Sequence, residues 1–322
     1  MNYENEKSIH KVFCKLEKFD EELNYIGVKN SNVIPLSYFE ILDNNKYKIH
    51  TIDNMAYKGR AIDINLKNPI TGRHMTGSSS GTAINVFLKI NDIGVGTDGG
   101  GSVLAPACSL NLFGFISPLI CEEEMKLNKK ESTDGLYFTP SIGYITRDLD
   151  SLYKIIEDTV GLGIENYNKK VLVSRPVVEF HENAFNRIQE QISDYEVVDL
   201  KYEGLNRQGM INELLKFDFN SNILITFEGP VDLFGYGDSI IGHYNNYAKD
   251  IQEKGHKYYL KVVNIMNLSA IIVPTEDLSL GILIVGKSDI STYSSMLKIA
   301  RKIKVNRSEL ENKYFNIRRR DG

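Results

Sequence analysis

Ser78 and Ser102 lie 24 residues apart, each in a tract of glycines and small polar residues. The first tract reads Gly77-Ser78-Ser79-Ser80-Gly81, the second Gly96-Thr97-Asp98-Gly99-Gly100-Gly101-Ser102. Side chains this small and polar cannot fill a core, but they let backbone N–H groups and hydroxyls approach a reacting carbonyl. That is the equipment of acyl transfer. Ser102 becomes a nucleophile once a base takes its proton. The backbone N–H groups of Gly99, Gly100, Gly101 and Ser102 are the candidate donors for the oxyanion that then forms. Asp98 is expected to bond the loop's amides, with a supporting acid as the alternative. Ser79 and Ser80 either hydrogen-bond within the loop or assist oxyanion binding.

The elements that must position these serines follow from hydrophobic periodicity. Ile9, Val12, Phe13, Leu16, Phe19 and Leu23 recur at helical spacing and predict an opening amphipathic helix. A short apolar strand, Tyr25 to Val28, ends at Lys29-Asn30, and a second runs from Tyr47 to Ile52. Ala83, Val86, Phe87 and Ile90 predict a helix after Gly81, and Ile93 to Val95 a strand entering the glycine-rich loop. Residues 121–135 read as a charged, exposed connection. A helix is predicted over 148–160, with Asp148 as N-cap and Gly161 as C-cap. Beyond it, strands at 171–174, 196–200, 222–227, 270–273 and 281–285 alternate with helices near 179–192, 240–254 and 291–304. Such alternation predicts α/β layering around a largely buried sheet.

Composition narrows the function. Hydrophobic residues make up 42% and charged residues 25% of the 322, as in ordinary globular proteins. A formal charge of −4 gives no electrostatic case for nucleic acid or an anionic membrane. Cys14, Cys108 and Cys121 form no CxxC and are odd in number, so neither a disulfide framework nor a zinc site is expected. The polar N-terminus lacks the apolar stretch of a secretory signal, and no segment reaches the ~18 apolar residues of a membrane span. A cytoplasmic protein is expected.

The two tracts together resemble those of the amidase signature hydrolases. Residues 77–81 are similar to that family's Gly-Gly-Ser-Ser-Gly-Gly, and residues 96–102 to its Gly-Thr-Asp-x-Gly-Gly-Ser, with Pro106-Ala107 matching the Pro-Ala just beyond. Ser141 to Arg147 resembles the family's Gly-Pro-Met-Ala-Arg segment before a helix. Asn264 to Pro274, with Gly281 to Gly286, resembles its closing strands. The resemblance implies a single-domain α/β/α fold over 1–322 around a central, mostly buried mixed sheet. Its catalytic core would span about 25–160 and a smaller substrate-side portion about 161–322.

The resemblance also implies roles. Ser102 would be the nucleophile, Ser78 a proton relay held by a cis bond to Gly77, and a lysine the base. One alignment sets Thr51-Ile52-Asp53-Asn54 over the family's Val-Lys-Asp-Asn and leaves Ile52 at the base position. The preferred alignment matches Ile26-Gly27-Val28-Lys29-Asn30 to the family's Gly-Val-Lys-Asp and makes Lys29 the base. Lys29 must then be buried, because desolvation lowers a lysine pKa. The chain departs from the pattern at Leu104, where the family carries Arg, at Asn30, where it carries Asp, and at Leu110-Asn111 and Gly114 to Ser117.

Two functions are implied. The first is amide hydrolysis or amidotransferase-type acyl transfer on a linear small-molecule or peptide-like amide, without cofactor or metal. A homo-oligomer or an amidotransferase-type partner is compatible with it. The second, motivated by Leu104 and the shortened segments, is a degenerate relative acting as a ligand-binding or partner scaffold. Gly94 to Gly99 also spells GxGxxG, but Pro106 argues against the long helix a dinucleotide site needs. His74, four residues before Ser78, is a substitute base to test, although a polar loop role is the simpler reading.

Overall fold

The computed structural model describes residues 7–13, 20, 22–43, 46–164, 169–176 and 178–305. Among these, eleven strands form one mixed sheet. Its order is 9–12, 47–53, 24–29, 93–98, 141–146, 113–117, 268–274, 281–287, 222–228, 170–174 and 196–198. The Asn24–Lys29 strand runs parallel to both its neighbours. So does the Lys170–Ser174 strand. The remaining pairings are antiparallel.

Alternate residues of the central strands feed opposite cores. Ile271, Val273, Ile282 and Ile284 face one apolar cluster, while Ala270, Ile272, Leu283 and Val285 face the other. This is the period-2 split of a sheet buried on both sides. The first cluster receives the helices Leu36–Asp43, Leu149–Thr159, Glu182–Gln191 and Ile290–Ile303. At its centre Phe115 stacks on Tyr144 at 6.2 Å and meets Tyr293 edge-on at 5.3 Å. Full burial of a side chain like Phe115 contributes on the order of 2–3 kcal/mol. The second cluster receives the helices Ser80–Phe87 and Leu104–Ser109, each of which follows one of the serine tracts.

Local chemistry sets the helix ends. The Ser151 N–H donates to Asp148 Oδ1 at 2.7 Å, so the expected N-cap opens the Leu149–Thr159 helix; its C-cap is Val160, with the expected Gly161 one residue beyond, at φ +86°. The Thr292 N–H donates likewise to Asp289 Oδ1 at 2.8 Å. Pro106 is the third residue of the six-residue helix Leu104–Ser109, in the first turn, where its missing N–H breaks no helical bond.

Two expectations are corrected. Where a helix is expected at the start, Ile9–Val12 is an edge strand antiparallel to Tyr47–Asp53, and Leu16 and Phe19 lie outside the described residues. The sheet edge supplies backbone partners that outweigh the helical spacing. The Phe13 N–H donates to the His50 carbonyl at 2.8 Å and the Asn54 N–H to the Ser8 carbonyl at 2.8 Å, while Phe13 itself stays exposed. Residues 121–135 are more than an exposed connection. They include a short helix, Glu122–Lys126, that buries Met125. Lys130–Glu131 then pairs with Tyr137–Phe138 as a ribbon beside the serine loops.

Candidate active site

Parallel pairing of Asn24–Lys29 with Ile93–Asp98 sets Ile26 opposite Ile93, Gly27 opposite Gly94 and Val28 opposite Val95. Both strands therefore end at the same edge, with Lys29 beside Thr97. Crevices outside the carboxyl ends of parallel strands are where α/β sheets place ligands. Here the crevice opens into a cavity of about 2100 Å³ lined by Lys29, Ser78, Thr97, Gly99, Gly100 and Ser102, among others.

Lys29 is 4% exposed. Its Nζ lies 2.7 Å from Ser78 Oγ, 3.1 Å from the Thr97 carbonyl and 3.1 Å from Thr97 Oγ1. Burial pulls its pKa down to about 7; the Asp98 carboxylate opposes that shift and the Lys130 charge adds to it. Lys29 is thus a buried amine that is about half neutral near pH 7 and hydrogen-bonded to a serine hydroxyl. Ile52, the alternative base position, sits on the next strand opposite Val28 and packs against the apolar cluster instead. The bond between Gly77 and Ser78 is cis.

Ser102 is half-buried and lines the cavity, and its carbonyl accepts the Ser79 N–H at 3.1 Å, so the two serine tracts are tied directly together. Asp98 moulds the loop that carries Ser102. Its Oδ1 accepts the Gly101 N–H at 2.7 Å; its Oδ2 accepts the Val103 N–H at 2.6 Å and the Leu104 N–H at 3.3 Å. Burial pushes the Asp98 carboxyl up, while these three N–H groups and Lys29 pull it down. Gly101 needs to be glycine: its φ is +92°, and a Cβ there would collide with the Leu260 side chain.

This geometry revises the expected donor set. The Gly101 N–H is spent on Asp98, so it is not an oxyanion donor. Among the described residues, no acceptor takes the N–H groups of Gly99, Gly100 or Ser102. Three of the four expected donors stay available at the cavity wall, where the Phe138 ring covers Gly99. Ser80 turns away from the cavity and donates to Asp63 Oδ2 at 2.5 Å. Ser79 is fully buried with an unpartnered Oγ, close enough to Gly96 that a Cβ there would lie 2.6 Å from it.

Other sequence candidates fall outside the cluster. His74 Nδ1 lies 3.2 Å from Lys67 Nζ, and His74 does not line the cavity. Cys108 is buried, with its thiol directed at the Ser279 carbonyl at 3.4 Å, and burial pushes its pKa up; it is a packing residue. Leu104 is fully buried in the second apolar cluster. Among the described residues, no group of three or more His, Cys, Asp or Glu could hold a metal ion. Sequence reasoning missed Thr97, whose carbonyl and hydroxyl hold Lys29; its place between Gly96 and Asp98 was the available signal. It also missed Arg207 and Lys261, which line the cavity from segments more than 100 residues downstream.

Comparison with known proteins finds likenesses in part of the sequence and in the fold. The family model Amidase matches residues 64–119. Amidase 1 of Arabidopsis thaliana is 41% identical over 71 residues, 21% of this chain, and the match spans 17% of that protein's length. Among solved structures, a component of the glutamyl-tRNA(Gln) amidotransferase from Thermotoga maritima superposes with TM-score 0.63 at 16% identity, covering 94% of this chain and 88% of that one. A 6-aminohexanoate cyclic dimer hydrolase superposes with TM-score 0.56 at 13% identity, covering 92% and 86%. These structural likenesses are likenesses of fold. The sequence matches to amidases cover residues 64–119 and a 71-residue stretch, and the fold of the whole is that of the amidase structures.

Proposed function

We propose that this protein is an amide (C–N) hydrolase, or an amidotransferase-type acyl transferase, working through an acyl-enzyme on Ser102. Neutral Lys29 accepts the Ser78 proton as Ser78 Oγ takes the proton of Ser102 Oγ. The freed oxygen attacks the carboxamide carbonyl, and the oxyanion is held by the N–H groups of Gly99, Gly100 and Ser102. Loss of one good donor from such a hole costs on the order of 100- to 1,000-fold in rate. The proton returns through Ser78 to the leaving nitrogen, the C–N bond breaks, and water or another amine resolves the ester.

The observation that carries this reading is the 2.7 Å contact from a buried Lys29 Nζ to Ser78 Oγ, with the lysine pKa drawn down to about 7. A scaffold has no need to hold an amine dry and half neutral, so the contact weighs against the non-catalytic alternative. A linear carboxamide is the substrate form we propose. The structural neighbour from an amidotransferase supports transfer to another amine within an assembly as the second fate of the acyl-enzyme. A single domain over 1–322 belongs to the same reading, supported by a sheet that runs from the 9–12 strand to the 196–198 strand. So does a cytoplasmic setting, supported by the free thiols of Cys108 and Cys121 and by the fact that no described helix is long and apolar enough to cross a membrane.

The test is ammonia release from a panel of small linear amides. Ser102→Ala is expected to abolish turnover; unchanged turnover in that variant overturns the mechanism.

A further inference from the structure

The cavity wall facing the glycine loop carries cationic groups that the proposed mechanism does not use. Lys261 closes the short turn Tyr259–Lys261, and Leu260 of that turn packs over Gly101. The turn is anchored from behind: Glu228 is fully buried and accepts the N–H groups of Tyr258 at 2.7 Å and Leu260 at 2.8 Å. Lys261 is thereby fixed against the loop, with its carbonyl 3.4 Å from where a Cβ on Gly100 would lie. Its Nζ has no hydrogen-bond acceptor among the described residues, although the side chain lines the cavity. Burial lowers its pKa to about 8, and the Arg207 and Lys257 charges act in the same direction, against Glu228.

Arg207 stands beside it on the first turn of the Arg207–Leu214 helix. Its Nη1 donates to Asp134 Oδ1 at 2.8 Å. Its Nη2 lies 3.4 Å from the same Cβ position on Gly100 and has no protein acceptor among the described residues. The half-used Arg207 guanidinium therefore stands beside the N–H groups that would hold the reacting carbonyl, and the Lys261 side chain, close enough to Arg207 for their charges to interact, lines the same cavity. Unpaired cations at a sheltered site are costly unless a ligand supplies the anion.

We propose that Lys261 and Arg207 bind a carboxylate on the acyl side of the substrate, so that the preferred substrates are ω-amides of short dicarboxylic acids rather than neutral amides. This rests on the acyl-transfer reading only for where the carbonyl sits. The two donors also fix orientation. The carboxylate takes the Lys261 and Arg207 side of the loop, which turns the carboxamide toward Ser102.

The experiment is calorimetric titration of succinamate and of its uncharged counterpart butanamide into the Ser102→Ala protein, which measures binding without turnover. Succinamate is expected to bind about tenfold or more tightly, the worth of a charge-assisted hydrogen bond. Lys261→Met should erase that preference, Lys261→Arg should keep most of it, and Arg207→Gln should weaken it. Thermal melting verifies that each variant folds. Equal affinity for the two ligands overturns the proposal, as does failure of both to bind, or a preference that survives both Lys261→Met and Arg207→Gln. Labelling of the wild-type protein by a fluorophosphonate separates the two ideas. A carboxylate preference without labelling keeps this site and removes the acyl-enzyme; labelling without the preference does the reverse.

Discussion

Replacing Lys29 by Met should change stability in a way that depends on pH and has a calculable slope. In the unfolded chain a lysine titrates at 10.5, whereas in the fold Lys29 titrates at about 7. Below pH 7 it is charged in both states, and the fold bears the whole penalty of burying the charge, about 5 kcal/mol at about 1.4 kcal/mol per pKa unit. Between pH 7 and 10.5 the unfolded chain holds a proton that the folded one has shed, so wild-type stability gains about 1.4 kcal/mol per pH unit from this group. Methionine at position 29 removes both the penalty and the slope. It also removes the bonds to Ser78 and Thr97, worth about 1 kcal/mol each. Lys29→Met should therefore be the more stable protein by about 2 kcal/mol at pH 6.5, and the sign should reverse at about pH 8.3, where the penalty left has fallen to about the 3 kcal/mol of the three lost bonds. Asp53, whose carboxyl burial raises to about 7, is shared by both proteins and cancels in the difference, whereas Asp98 loses the Lys29 charge that pulls it down and is pushed further up in Lys29→Met. Urea unfolding of the pair at pH 6.5, 8 and 9 reads this directly. A stability difference that does not vary with pH would mean that Lys29 titrates normally, and the neutral base would be lost with it.

Three further outcomes are expected. The rate constant kcat/KM on any amide substrate should rise with pH around a midpoint near 7 as Lys29 loses its proton; a rate that falls across that range in initial-rate assays would contradict a lysine base. Asp98→Asn leaves at least one buried N–H without a partner and should cost about 1–3 kcal/mol in chemical denaturation together with most of the activity, whereas full activity would remove Asp98 from loop construction. His74→Ala should leave turnover within about twofold of wild type, since His74 bonds Lys67 outside the cavity; a collapse in rate would reinstate it as a base.

The parts of the site that were legible in the sequence are those whose chemistry is local. Glycine and serine tracts announce tight loops whatever surrounds them, and the short apolar run Tyr25 to Val28 announces a strand that delivers Lys29 at its end. Likewise Asp148 opens a helix by local hydrogen bonding, and Gly161 turns one residue beyond its C-cap by backbone conformation. What was not legible depends on partners distant in sequence. The Ile9–Val12 strand looks helical by spacing and becomes the edge strand because its neighbour Tyr47–Asp53 offers it backbone bonds. The central strands Phe113–Ser117 and Ser141–Thr146 are short and broken by Gly114 and Gly143, so they lack the apolar run or the alternation that marks a strand; their neighbours on both sides define them. The loss of the Gly101 donor was hidden for a related reason. That Asp98 would bond loop amides is readable from its type, but which N–H it takes follows from the turn the folded loop adopts. Arg207 and Lys261 carry no motif at all, and the fold alone brings them to Gly100.

The central claim is that Lys29 activates Ser102 through Ser78. The most direct measurement is covalent labelling by a fluorophosphonate, with the adduct mapped by mass spectrometry in the wild-type protein and in Lys29→Met. The account predicts an adduct on Ser102 whose rate of formation drops at least a hundredfold without Lys29, the scale of a lost general base. An intact protein that does not label, or that labels equally fast in both forms, contradicts it.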